Sequence, residues 1–211
     1  MSKTTVYIDG QNFMHSVAVN LLNAGLISNK HQLEIIDIPF LLNATLPTSV
    51  SLGQSEIRYY GVSRIKRQDE YGEAMLQKSI NFATSLRKLR SYLSQNDVKY
   101  VPCGQLRPRG IDKCKNCGFE DYKYQEKGVD VGLAVDIVKD VLQKEASHVI
   151  IVSSDTDLMP ALRVAKQSGA TITYIAFKGM VIRPFSVLAD HTFTVKGNTI
   201  TEAYARALKM A

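Results

Sequence analysis

The chain has 211 residues, of which 45% are apolar and 22% charged, with a net charge of +6. That length suits one large domain with a sizeable core, and no apolar run approaches the roughly 20 residues of a membrane span. Three cysteines, an odd number, argue against a secreted disulfide framework. The first residues lead straight towards a strand, so no signal peptide is expected and the compartment is read as cytoplasmic. The charge is unevenly placed. Residues 1–55 hold two lysines and three acids, residues 56–127 hold 15 basic residues against nine acids, and residues 128–211 hold nine against eight. The excess sits in the middle segment, which points to a polyanionic partner, with solvated basic helix faces as the competing reading.

Thr4 to Ile8 is a β-branched run that predicts a strand, and Asp9-Gly10-Gln11-Asn12 turns from it into a helix opening near Phe13. In that turn Asp9 reads as an Asx-turn residue or a ligand, and Asn12 as a cap or a ligand. Asp37-Ile38-Pro39 starts a second helix with Asp as cap and Pro in the first turn. Glu56 to Val62 reads as a strand, Arg64 to Arg67 as a basic loop, and Asp69 to Gln95 as a long amphipathic helix carrying Arg87, Lys88 and Arg90. Val98 to Cys103 is a third strand. Gly104 to Tyr124 has no clear period and reads as an inserted basic loop. Glu126 to Asp130 then enters a helix to about Lys144, with Val131, Ala134, Val135, Val138, Val141 and Leu142 on its expected buried side. On that helix Lys127 shares a face with Asp130, while Asp136 points elsewhere. After a strand at His148–Val152 and a helix from Leu158 come a strand at 171–177, a short helix from Arg183, a strand at 192–195 and a terminal helix. Alternating strands and helices predict a three-layer, doubly wound, mostly parallel α/β fold, read as one domain over residues 1–211.

The stretch Ser153-Ser154-Asp155-Thr156-Asp157 lies at the carboxyl end of a buried strand, the edge of an open α/β sheet where ligands bind. One carboxylate would cap the following helix; two, two residues apart, suit a hard divalent cation that wants oxygen ligands. If the first strand neighbours the 148–152 strand, Asp9, Asp130, Asp155 and Asp157 meet in one cleft. Crowded carboxylates repel unless cations lie between them. Two Mg²⁺ or Mn²⁺ ions about 4 Å apart would satisfy them and activate water for attack on a phosphodiester. Other chemistries lack their motifs: the chain has no GxxxxGK[ST], GxGxxG or GxSxG. A haloacid dehalogenase-type phosphatase wants D-x-D after the first strand, where this chain has Asp9-Gly10-Gln11.

Three segments, V-Y-I-D-G-Q-N at 6–12, E-K-G-V-D-V at 126–131 and V-S-S-D-T-D-L-M-P-A-L at 152–162, resemble in that order the NYN domain, in the LabA-like branch of the PIN-like nucleases. The resemblance spans residues 4 to about 178 and is less clear from about 179. It implies a flavodoxin-like sheet, a Mg²⁺- or Mn²⁺-dependent ribonuclease activity, and Asp9, Asp130, Asp155 and Asp157 as the catalytic, metal-holding set. Asn12, Ser154 and Thr156 match polar residues that help place metal or phosphate. Lys127 is within reach of that site, and Arg64, Lys66, Arg67, Arg107 and Arg109 are expected to hold the RNA backbone. Single-stranded RNA is the expected partner, with no membrane and with a homodimer left open. A non-catalytic RNA-binding protein and a phosphoesterase acting on DNA or a small phosphoester are the alternatives.

Cys114-Lys115-Asn116-Cys117-Gly118 has the form of half a zinc knuckle. Cys103 is the third candidate ligand for a structural Zn²⁺, and the fourth would be a histidine, a carboxylate or a partner chain. The competing reading is three reduced thiols, with Cys103 buried as a small hydrophobe.

Overall fold

Thr4–Asp9 forms the first strand, β1, and its alternation sets the layering of the molecule. Val6 and Ile8 enter one apolar layer and Tyr7 the other, as the period of two requires. The computed structural model describes residues 3–50, 52–53, 55–65, 72–113, 117–118 and 120–210. In chain order, β1 is followed by α1 (Gly10–Asn23), α2 (Ile38–Thr45), β2 (Glu56–Gly61), α3 (Gly72–Gln95) and β3 (Val98–Pro102). Next come β4 (Gln105–Lys113), β5 (Glu120–Lys127), α4 (Val129–Leu142), β6 (His148–Val152) and α5 (Met159–Gln167). The described chain ends with β7 (Thr171–Phe177), α6 (Arg183–Leu188), β8 (His191–Val195) and α7 (Gly197–Met210).

Six strands make one parallel sheet in the order β3-β2-β1-β6-β7-β8. The chain steps outward from β1 to β3, then crosses back and steps outward from β6 to β8. This is the doubly wound α/β architecture that the alternating elements predict, with its switch point between β1 and β6. On one face α1, α2 and α7 bury Phe13, Leu21, Leu41 and Ile200 against Val6, Ile8 and Ile150. On the other, α4, α5 and α6 bury Leu133, Ile137, Leu162 and Phe185 against Tyr7, Ile151 and Tyr174. A polar tie crosses the second layer: Asp140 Oδ2 of α4 accepts from Tyr7 Oη at 2.7 Å and from the Arg58 guanidinium at 2.5 Å. No described helix is long and apolar enough to cross a membrane.

Three expectations change. The segment read as an irregular insertion at 104–124 is an antiparallel hairpin of β4 and β5, with a register shift between Pro108 and Gly110. Its strands are rich in charge and none of their described side chains is fully buried, so they lack the apolar alternation that marks a strand. The helix expected from Glu126 starts at Val129, because Gly128 has φ +89° and ends β5 sharply. Lys127 is therefore the last residue of a strand and shares no helical face with Asp130. The phase of α4 also differs. Val129, Leu133, Ile137 and Val141 are buried, whereas Val131, Val135 and Leu142 are 61%, 57% and 61% exposed.

Candidate functional site

Ile8 pairs with Val152, so Asp9 and Ser153 leave the sheet side by side at the switch point. Asp9 is the N-cap of α1, its carboxylate accepting the Asn12 N–H at 3.2 Å. Gly10 follows because a Cβ there would lie 2.5 Å from the Tyr60 carbonyl oxygen and collide with the Tyr59 ring. The second oxygen of Asp9 accepts from Asn12 Nδ2 at 2.5 Å and from Ser153 Oγ at 2.9 Å. Ser154 Oγ donates to Asn12 Oδ1 at 2.7 Å. Asn12 thus spans from Asp9 to Ser154 and joins the β1–α1 turn to the turn after β6. Asn12 and Ser154 hold one another, and Thr156 is exposed at the start of a short 3₁₀ turn, Thr156–Leu158.

Asp155 caps that turn: its Oδ1 accepts the Asp157 N–H at 3.0 Å, and its own N–H donates to Ser153 Oγ at 3.0 Å. Asp130 lies in the first turn of α4, where the helix dipole favours a negative charge. One carboxylate oxygen from each of Asp130, Asp155 and Asp157 lies within 4.8 Å of the other two. Capping and clustering therefore coexist at Asp155. Asp9 is 5% exposed, and both its oxygens are engaged with Asn12 and Ser153; it is not one of the three clustered carboxylates. Asp136, on another face of α4, accepts from Tyr60 Oη at 2.9 Å.

Sequence reasoning passed over Glu126. It is half-buried near the end of β5. Burial first, and then the charges of Asp9, Asp130 and Asp155, push its carboxyl up to about 7. The signal available was its place four residues before Asp130, across the Gly128 turn. A set of carboxylate oxygens this close suits a hard divalent cation such as Mg²⁺ or Mn²⁺, since charge neutralisation there relieves mutual repulsion.

The basic residues separate from one another. Arg64 is exposed and lines a cavity of about 680 Å³ that Arg87 and Arg90 of α3 also line. Arg107 and Arg109 are exposed on β4, and Lys127 is exposed at the end of β5. Lys66, Arg67 and Cys114 lie outside the described residues. Cys103 sits at the base of the hairpin, half-buried, with Sγ 3.7 Å from the Val101 carbonyl oxygen and 3.8 Å from that of Val129. Burial pushes its thiol up to about 11. Cys117 is exposed at the hairpin tip. The nine residues of β4 lie between Cys103 and Cys117, and at about 3.3 Å each they put the two thiols roughly 25–30 Å apart, too far for one zinc ion.

A doubly wound parallel sheet with aspartates gathered at its switch point defines a class of α/β proteins that bind ligands at the carboxyl ends of their strands. The chain belongs to the NYN domain family, a PIN-like nuclease domain family, whose model matches residues 3–196. It is 24% identical over 177 residues to 6-hydroxy-3-succinoylpyridine 3-monooxygenase HspA of Pseudomonas putida, a match covering 78% of this chain and 55% of that protein. The chain thus spans about half the length of that relative. It is 26% identical over 178 residues to the uncharacterised protein MJ0482 of Methanocaldococcus jannaschii, covering 75% of this chain and 73% of that protein. The crystal structure of a protein of unknown function from Vibrio parahaemolyticus, VPA0982, aligns with a TM-score of 0.45 at 18% identity, covering 92% of this chain and 93% of that one.

Proposed function

We propose that the protein is a Mg²⁺- or Mn²⁺-dependent ribonuclease. The observation that carries this reading is the meeting of Asp130, Asp155 and Asp157 within 4.8 Å, beside Asp9, in a chain of a nuclease family. Asp130, Asp155 and Asp157 would hold the ion. A divalent cation bound there would supply Lewis acidity towards a phosphodiester and make water more acidic. Asp9 orders the floor of the site by fixing Asn12 and Ser153. Glu126, with a carboxyl near neutrality, is placed to hold or release a proton beside the cluster. Arg64, Arg107 and Arg109 are cations for the substrate backbone. The HspA relative is named for oxygen transfer to a pyridine; the oxygen-only aspartate cluster supports hydrolysis of a phosphodiester over that chemistry.

The test is cleavage of a fluorescent single-stranded RNA by the full chain with Mg²⁺, Mn²⁺ or EDTA, beside Asp155→Asn/Asp157→Asn. Cleavage needing the ion and falling by about a hundredfold or more in the double variant is the expected result. Binding without cleavage in any ion would replace the enzyme by an RNA-binding protein. Cleavage of single-stranded DNA in preference to RNA would move the substrate class.

A further inference from the structure

We propose that the groove lined by Arg64, Arg87 and Arg90 is a second, built subsite that holds the phosphates of a single RNA strand upstream or downstream of the acidic cluster. The proposal rests on the ribonuclease reading for the polymer's identity, and on separate observations for the site. Among the described residues the cavity of about 680 Å³ is lined by three arginines and by no acidic side chain. Arg87 and Arg90 stand three apart on α3, so they are neighbours on one helix face, and Arg64 reaches the same space from the segment after β2. Among the described residues none of the three has an ion-pair partner. Three cations gathered with no counter-charge among the described residues repel one another, and a polyanion would relieve that repulsion.

A second observation points to a ligand. Arg90 is anchored, its guanidinium 4.6 Å from the centre of the Tyr100 ring. Its Nε is nevertheless buried and meets no acceptor. A buried Nε leaves the two terminal nitrogens of Arg90 as the donors that a phosphate oxygen would meet. The stacking fixes the plane of the guanidinium, so the fork is preorganised for phosphate.

The groove is also continuous with the acidic site. Phe82 and Leu86 line both this cavity and a neighbouring one of about 420 Å³. The neighbouring cavity reaches Gly10 and Gln11, next to Asp9, and Glu126, which feels the charges of Asp9, Asp130 and Asp155. Between the arginines and the acids the two cavities share Phe82 and Leu86, the neighbouring one is also lined by Lys30 and Glu34, and the partly exposed Phe82 ring lies in the path. Unpaired bases can stack on such a ring, whereas the bases of a duplex face each other and cannot reach it. Phosphates on the arginines and bases over Phe82 give one strand a path to the carboxylates.

The experiment is fluorescence anisotropy with a labelled oligouridine of about 12 nucleotides in EDTA, across a salt series, with cleavage measured in parallel in Mg²⁺. Arg64→Ala/Arg87→Ala alters exposed residues, and a melting curve checks its fold. It is expected to weaken binding about tenfold and to lower the salt slope by about 1.4, at about 0.7 per lost phosphate contact. Arg90→Lys keeps the charge and loses the fork, so affinity falls while the slope holds. Metal-dependent cleavage with unchanged binding in both variants would overturn the groove and leave the nuclease standing. Groove-dependent binding without cleavage would keep the groove and remove the nuclease. Equal competition by a duplex of the same length would overturn the single-strand assignment.

Discussion

At the scale of single residues, Glu126 shows how the fold tunes chemistry that its own sequence position does not advertise. Its carboxyl is raised to about 7 by burial and then by three aspartates, so the folded protein binds a proton there that the unfolded chain has released. The sign follows. The protonated form is at home in the fold below the ordinary carboxylate range, and the stability it contributes is lost as pH rises through about 7. Glu126→Gln mimics the protonated form. In EDTA it is expected to melt a degree or two higher than the parent at pH 8 and to match it near pH 5, the effect being modest because the group is partly solvated. A variant that melts lower at every pH would show that Glu126 is needed as a charge. Asp9 makes the complementary point. The sequence reads it as an Asx-turn residue or a ligand, and the structure shows its carboxylate capping α1 while its second oxygen holds Asn12 and Ser153.

At the scale of elements, α4 matters most, because its first turn carries Asp130 and its last turns carry the buried tie to the sheet. Asp140 meets Tyr7 of β1 and Arg58 of β2, and Arg58 continues to Glu56, which Lys99 of β3 also reaches. Truncating one partner leaves a buried charge alone, which costs about 3–5 kcal/mol. Asp140→Ala should therefore lower the unfolding free energy read from a urea titration by that amount, while Tyr7→Phe should cost about a third of it. Acid supplies a second reading of the tie. The hydrogen bond from Arg58 draws the Glu56 carboxyl down to about 2, so its contribution is present above the usual carboxylate range and fades as pH falls towards 2. Glu56→Gln should flatten that part of the acid unfolding curve. The sequence made α4 legible as an element but not in phase. Its valines are spread around the helix, and the buried face is chosen by Leu133, Ile137 and a polar Asp140 that hydropathy would place outside. The β4–β5 hairpin was illegible for a related reason: backbone pairing holds a strand whose side chains bury little.

At the scale of the molecule, the acidic cluster sits where the two halves of the sheet meet. The parallel sheet was legible because buried strands leave continuous apolar runs, and the meeting of β1 and β6 followed from winding rules once the strands were counted. The motif order carried Asp130, Asp155 and Asp157 to one place. Glu126 opens the second motif, but its place beside the cluster depends on the turn through Gly128, which a helix running from Glu126 would not give. The cluster joins β6 and α4 directly, and Asn12 and Ser154 extend the connection to β1. An ion that binds only the folded chain must therefore stabilise the whole sheet by mass action, by about 2.7 kcal/mol at a hundredfold excess over its Kd. For a chain of this size that is a rise in Tm of roughly 5–10 °C. Mg²⁺ or Mn²⁺ added to protein stripped with EDTA should give this rise, and Asp155→Asn/Asp157→Asn should abolish it while itself melting no lower than the stripped parent, because removing two crowded charges relieves repulsion. A double variant that melts well below the stripped parent would mean that Asp155 serves the fold chiefly as the cap of its turn, and the hydrogen bond to the Asp157 N–H would then be the larger part of its role.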